Sequence, residues 1–498
     1  MIIGMLAAMP TAPTGPPAGT VPPADRSASG PGAGPGASPG ERPADGGDAC
    51  PGALRLHTAD DGALARVRVP GGVLTSRQAK ALAGAAERLG DGVLHLTSRG
   101  NVQLRGLGAG CGQELATLLD TAGLLPSRGH ERVRNVVASP LSGLDGRGAG
   151  DVGPWLRALD GLLCASEAAR GLSGRFLFAL DDGRGDVAAL GADVTLTAVP
   201  GGGALLRLGT EAGTEAGTEA GTGVLAVPGG AAALAALTAA EVFLDAAAAV
   251  PDGRGRTWRV GDLPGAAAGS LLPELVSRLA RRGVGTSPGT ADSADLSGTS
   301  GGPPTGVVAG PRPGAPAALS VLAPLGRLTA AQWRLLAECA RTEGRDELRL
   351  TPWRGVVVPG VPAARAAGRL AALAATGLVT GDASPWHGVG ACIGRPGCAK
   401  SLADVRADAA DALGHGGTGD SGTGGSPAPL PVYWSGCERR CGRPPGDRVD
   451  VVAAPEGYRV SVVRAGRPGT AVPPPPGSVP GLAAAVASAR SRTAPKAP

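Results

Sequence analysis

Beyond residue 54, apolar and polar positions settle into regular periods. The run Ala63-Leu-Ala-Arg-Val-Arg-Val69 alternates as a half-buried strand does, and Pro70-Gly-Gly supplies the turn after it. Thr75 stands where a helix cap belongs, ahead of a helix predicted to run to about Leu89. Val93–Thr97 and Asn101–Arg105 read as two strands around a Ser98-Arg-Gly turn, and roughly Gly112 to Ala122 as a second helix.

This unit recurs. A shift of 254 residues aligns Gly72-Val-Leu-Thr75 with Gly326-Arg-Leu-Thr329, and Leu94-His-Leu-Thr97 with Leu348-Arg-Leu-Thr351. The same ungapped shift aligns Gly106 with Gly360 and Gly123-Leu124 with Gly377-Leu378. About a third of positions 72–107 are identical to their partners, and shared Ala/Leu composition does not explain the matches at Thr75, Gly90 and Thr97. The chain is therefore expected to be a pseudo-two-fold pair of α+β halves, each with a strand–helix–strand–strand–helix unit.

Composition sets limits on what surrounds these units. Gly and Pro make up 26% of the 498 residues, concentrated in the first 50, near 284–316 and in the last 30. Residues 1–50 and 467–498 are expected to be disordered tails and 284–316 a linker. The Gly-Thr-Glu-Ala repeat Gly209 to Gly221 and the tract Gly414 to Pro429 read as loops. Between them the expected divisions are 51–127, 128–283, 317–380 and 381–466. Net charge is +5 with acids and bases interspersed and no basic block, which argues against nucleic acid. The most apolar stretch, Ala231 to Val250, carries Glu241 and Asp245 and suits a soluble helix better than a membrane span. The N-terminus lacks a basic segment before its apolar residues, so the expected location is the cytoplasm.

Eight cysteines are too few for a disulfide scaffold, and four of them pair up. Cys392-Ile-Gly-Arg-Pro-Gly-Cys398 and Cys437-Glu-Arg-Arg-Cys441 provide two close thiol pairs. Such a set suits a [4Fe–4S] cube, one ligand per iron, with neighbouring Gly letting backbone approach the sulfides. Zinc is the rival, although its ribbon sites favour shorter spacings than the first pair. Cys50, Cys111, Cys164 and Cys339 lie outside this set and read as structural or incidental. Residues 394–401 have Walker-like letters but lack Gly before Lys400, and no dinucleotide fingerprint opens a strand–helix unit, so electrons must come from a separate protein.

The segments Gly72-Val-Leu, Leu96-Thr-Ser-Arg-Gly-Asn-Val-Gln-Leu-Arg-Gly106, Arg134-Asn135, Ala391-Cys392 through Cys398 and Ser435-Gly-Cys-Glu-Arg-Arg-Cys441 resemble the sulfite and nitrite reductase family over about residues 55–465. The cysteine spellings and the short chain are most similar to its precorrin-3B synthase branch, of aerobic cobalamin biosynthesis. The resemblance implies an α+β fold of duplicated architecture: two ferredoxin-like half-domains, 51–127 and 317–380, plus two larger α+β lobes, 128–283 and 381–466, the latter holding the cluster. It implies an iron–sulfur monooxygenase that hydroxylates precorrin-3A at C20 with O2 and closes a γ-lactone, served by a ferredoxin or flavoprotein reductase. An assimilatory sulfite or nitrite reductase with sirohaem is the alternative, and a non-catalytic electron carrier ranks behind both.

Because a precorrin carries eight carboxylates, its pocket should be lined by arginine, which binds carboxylates through two parallel hydrogen bonds. Arg99 and Arg134, beside Asn135, match family positions facing the macrocycle or its axial ligand, and Asn101, Gln103 and Arg105 alternate along one strand that can share that face. Gly171-Leu-Ser-Gly-Arg-Phe-Leu177 matches a cationic family segment, keeping Arg175 but carrying Gly174 and Leu177 where the family has cations. The expected substrate-binding set is thus Arg99, Asn101, Gln103, Arg134, Asn135 and Arg175, with His387 a candidate proton donor.

Overall fold

The computed structural model describes residues 51–209, 223–250, 257–289, 301–415, 429–444, 446–464, 467–472 and 479–491. The expected tail 1–50 with Cys50, nearly all of the Gly-Thr-Glu-Ala repeat, most of 414–429 and part of the expected linker fall outside the described residues.

The repeated units form two five-stranded sheets. The first orders His57–Ala59, Gly62–Val67, Val102–Leu107, Val93–Leu96 and Arg327–Thr329; the second orders Gly306–Val308, Ala317–Leu322, Gly355–Val361, Glu347–Leu350 and Val73–Thr75. Each sheet thus ends on a strand from the other repeat. Leu328 pairs with Leu94 and Leu74 with Leu348, and the 254-residue shift converts one pair into the other. The exchange needs glycine beside it. Gly72 and Gly326 have φ of 71° and 72°, and a Cβ on them would press on the carbonyl oxygens of Leu350 and Leu96, again a symmetric pair.

Both long helices start as the sequence predicts. Thr75 and Thr329 cap Ser76–Leu89 and Ala330–Thr342, and Gln78 and Gln332 complete capping boxes. The two helices pack together, with Trp333 fully buried and its indole N–H donating to the Ala79 carbonyl at 2.7 Å. One continuous core, including Leu74, Leu94, Leu328 and Leu348, fills both units.

Two lobes flank this pair. In the first, Val136–Ala138, Phe178–Asp181 and Val194–Val199 run parallel, and Gly203–Leu208, Val224–Pro228 and Ser287–Pro288 continue antiparallel. In the second, Val389–Ala391, Val432–Ser435 and Arg448–Ala454 run parallel, followed by antiparallel Gly457–Arg464 and Arg467–Val472. The shared order extends the duplication to the lobes. Among the described residues one helix, Gly229–Ala248, is long and apolar enough to cross a membrane, but Ala235, Ala236, Ala239 and Phe243 are buried in the core of the first lobe.

Two expectations fail at segment ends. The tract 284–316 is not linker throughout, because Ser287–Pro288 and Gly306–Val308 are edge strands of the two adjoining sheets. The expected tail 467–498 contributes a strand and the helix Val479–Arg490, whose Leu482, Ala483, Val486 and Ala489 are buried in the second lobe. Its alanine-rich spelling hid an apolar face that the sheet covers.

Candidate metal centre and its surroundings

All four paired cysteines sit on two loops leaving the carboxyl ends of neighbouring parallel strands. Cys392 follows Val389–Ala391 directly and Cys437 lies two residues beyond Ser435, so strand pairing itself brings the loops together. The Cys392 N–H donates to the Trp434 carbonyl at 2.9 Å, and Leu402 N–H to the Gly436 carbonyl at 2.8 Å. Gly436 N–H donates to Cys392 Sγ at 3.2 Å. A Cβ on Gly436 would collide with Ser401 Oγ, so a glycine there lets the loops interlock. Tyr433 O–H donates to the Cys441 carbonyl at 2.6 Å and holds the far end of the second loop. Burial pushes the Cys392 thiol above its ordinary range, and Cys437 adds to the rise against the lowering by the Gly436 and Gly394 amides.

Four thiols on two interlocked, glycine-bearing loops, one already receiving an amide hydrogen bond, fit an iron–sulfur cluster, whose sulfurs accept such bonds. The corresponding strand ends of the first lobe carry Ser139, Asp181, Asp182 and Asp186 instead. Asp181 accepts four backbone N–H groups, Asp182 pairs with Arg184, and Asp186 accepts from Ser139 Oγ at 2.6 Å. Those carboxylates close their own loop.

The cysteine loop is seated on the first half-domain. Arg105 makes a two-pronged pair with Asp61 at 2.8 and 2.7 Å and donates to the Gly397 carbonyl at 3.1 Å, while Ala399 N–H donates to Asp60 Oδ2 at 2.5 Å. Arg105 therefore anchors the loop that ends in Cys398. Above the loop, Arg406 donates from Nε to the Cys392 carbonyl at 3.1 Å. Burial, then Arg327, Arg105 and Arg354, bring the Arg406 guanidinium down to about 10, which marks four cations gathered beside the cysteines.

The expected substrate residues separate into two groups. Arg99 Nη1 donates to the Arg175 carbonyl at 3.2 Å, and the exposed Arg175 guanidinium stacks on Trp258 at 4.0 Å from the ring centroid, so these two arginines are brought together. Asn101 and Asn135 sit deeper in the protein. Both are buried, Asn101 accepts from Val69 N–H and donates to Asn135 Oδ1, and Asn135 donates to the Phe176 carbonyl. That chain braces the half-domain against the first lobe. Gln103 accepts from Arg66 at 3.4 Å.

Arg134 has partners within the protein. Asp160 takes it in a two-pronged pair at 2.7 Å on both arms and the Leu124 carbonyl takes a third donor, so its charge is already matched inside the protein. His387 bonds the Gly381 carbonyl and Thr305, a loop-bracing role. Leu177 is buried with Val137, Ala179, Val187 and Ala192, so that position is apolar core. Sequence reasoning missed Arg68, which donates to the Arg132 and Gly174 carbonyls, and missed His95 and Arg406. The adjacent acids Asp60-Asp61 at a hairpin tip were the one local signal for the seat of the cysteine loop.

Comparison with known proteins agrees with this architecture. The nitrite/sulfite reductase ferredoxin-like half domain matches residues 57–110 and 313–376, one match in each repeat. A precorrin-3B synthase from Sinorhizobium sp is 27% identical over 419 residues, covering 83% of this chain and 82% of its own. A ferredoxin–nitrite reductase from Synechococcus elongatus is 26% identical over 408 residues, covering 76% and 74%. The solved NirA protein of Mycobacterium tuberculosis superposes with a TM-score of 0.64 at 20% identity, covering 82% of this chain and 75% of that one, which establishes a common fold. The resemblance to the sulfite and nitrite reductases, with precorrin-3B synthase among the similar proteins, and the duplicated α+β architecture both hold.

Proposed function

We propose that this chain is an oxidoreductase of the precorrin-3B synthase type, holding a [4Fe–4S] cluster through Cys392, Cys398, Cys437 and Cys441. The supporting observation is the cysteine arrangement itself: two thiol pairs on interlocked loops at adjacent parallel strand ends, seated on the half-domain that carries Arg99. The similarity to the Sinorhizobium protein along most of both chains supplies the substrate class, a carboxylate-rich tetrapyrrole.

A cluster held by Cys392, Cys398, Cys437 and Cys441 would supply single electrons drawn from an external ferredoxin or flavoprotein reductase. The protein's own residues bind and orient. Arg99 and Arg175 present guanidinium donors to the acetate and propionate carboxylates of precorrin-3A, and the Trp258 face holds Arg175 in position. Arg105 fixes the Cys398 loop against the same hairpin, so substrate-facing turn and cluster share one rigid support. Hydroxylation at C20 takes one oxygen atom of O2 into the product and releases the other as water, consuming two electrons and two protons. Lactone closure then adds an acetate carboxyl group across a double bond of the macrocycle, with no water lost, so the product keeps one added oxygen. The expected divisions into half-domains and lobes, and a cytoplasmic location, belong to the same proposal.

The alternative is a sirohaem-dependent nitrite or sulfite reductase, and the Synechococcus relative is the observation favouring it. The buried Leu177 and the Asp160-paired Arg134 weigh against it, because a small anion beside reduced iron needs several converging cations to offset its desolvation. Aerobic incubation of the reduced protein with precorrin-3A, followed by mass analysis, should show one added oxygen. Sirohaem absorption bands with steady nitrite or sulfite turnover would replace this reading with the alternative.

A further inference from the structure

Between the first half-domain and the cysteine loops lies a cluster of cations centred on Arg406. Arg406, on the helix Val405–His415, is held at both ends. Its Nε donates to the Cys392 carbonyl at 3.1 Å, and its Nη1 lies 3.2 Å from His95 Nδ1. A guanidinium only donates, so His95 Nδ1 accepts and the ring proton resides on Nε2. That nitrogen is buried without a hydrogen bond among the described residues, with an Asp91 carboxylate oxygen at 3.7 Å. His95 is thus a neutral acceptor reaching from the first half-domain to the arginine beside the cysteine loop.

Among the described residues Arg406 makes no ion pair, and neither do Arg327 and Arg354, which stand close enough to act on its charge. The Arg354 guanidinium reaches Gly390, two residues before Cys392. Arg354 and Arg406 are half-buried, while Arg327 is exposed and also acts on Asp91, so a negative charge at the cysteines would offset part of the repulsion among them. Four thiolates around a [4Fe–4S]2+ core carry a net charge of −2, and one added electron makes it −3. A fixed cation stabilises the second state more than the first.

We infer that Arg406 is a positioning residue for the cluster, its guanidinium clamped between Cys392 and His95 so that its charge favours the reduced cluster and holds the reduction potential up. This rests on the reading that the four cysteines hold a [4Fe–4S] cube. It adds a residue outside the ligand loops, and it makes His95 the group that aims the arginine. Arg406 acts through charge and placement, touching neither substrate nor reacting atoms.

The test uses the full-length holoprotein, prepared anaerobically as parent, Arg406→Gln and Arg406→Lys. Iron and acid-labile sulfide are measured on each, and the cluster is titrated potentiometrically with its reduced fraction read by electron paramagnetic resonance. At the parent's midpoint the ratio of reduced to oxidised cluster in Arg406→Gln should be about tenfold lower, equal to 59 mV for a one-electron couple. Arg406→Lys should lie closer to the parent than to the glutamine variant. Loss of cluster in Arg406→Gln with retention in Arg406→Lys supports the same role, because the lysine keeps the charge that the glutamine lacks. An unchanged midpoint in Arg406→Gln, or equal shifts or equal cluster loss in both variants, would overturn it. A parent without stoichiometric iron and sulfide would overturn the cluster reading itself, and the inference with it.

Discussion

Arg105→Ala should loosen the cysteine loop selectively. The Arg105 side chain is 5% exposed and its Asp61 partner 20%, and both arms of the pair are shorter than 3 Å. Removing one member of a buried pair costs ~3–5 kcal/mol because the other is left uncompensated. Asp61 keeps some water, which lowers the expected cost to about 2–4 kcal/mol, the lost hydrogen bond to the Gly397 carbonyl included. That cost falls on the loop from Cys392 to Cys398, which the arginine ties down. Amide hydrogen exchange reads such local opening directly: at 1.4 kcal/mol per tenfold, a peptide covering 392–403 should exchange roughly 30- to 700-fold faster. The helix Ser76–Leu89, packed on the shared core, should keep parental protection. Asp61→Ala should accelerate the same peptide, and the double variant should cost less than the sum of the singles, since it leaves no unpaired charge. Parental exchange in 392–403, or strictly additive effects, would show that the pair does not hold the loop.

Three further outcomes follow from the same geometry. Trp333→Ala empties a fully buried site shared by both repeats and should lower stability by about 3–5 kcal/mol, while Trp333→Phe should lose much less; denaturant unfolding followed by circular dichroism distinguishes them. Arg134→Ala should destabilise the protein by about 1–3 kcal/mol by stranding Asp160, without weakening tetrapyrrole binding at equal folded concentration, as calorimetric titration would show. Burial, with Asp181 and Asp182 adding to it, lifts Asp186 to about 7. An acid whose folded pKa lies above its unfolded value binds more protons when folded, so its contribution is largest below about pH 4 and is lost as pH rises through 7. Asp186→Asn should flatten that decline in the pH profile of thermal unfolding, and an unchanged slope would refute it.

Chemistry that is local in sequence was legible there. Thr75 with Gln78 and Thr329 with Gln332 are three apart, one helical turn, so the two capping boxes and the repeat they mark needed no tertiary information. The two cysteine pairs were equally visible, because each pair is close in the chain. Other features depended on partners far along it. The exchanged strands Val73–Thr75 and Arg327–Thr329 are too short to show a period, and the partner's sheet edge is what makes them strands. The arginines are the sharpest case. In sequence 44 of them look alike, and burial decides among them: Asp61 claims Arg105 across 44 positions, Asp160 claims Arg134 across 26, and His95 meets Arg406 across 311. A guanidinium's role is set by which acceptor remains within reach once water has been excluded, and that is fixed only when the chain has folded.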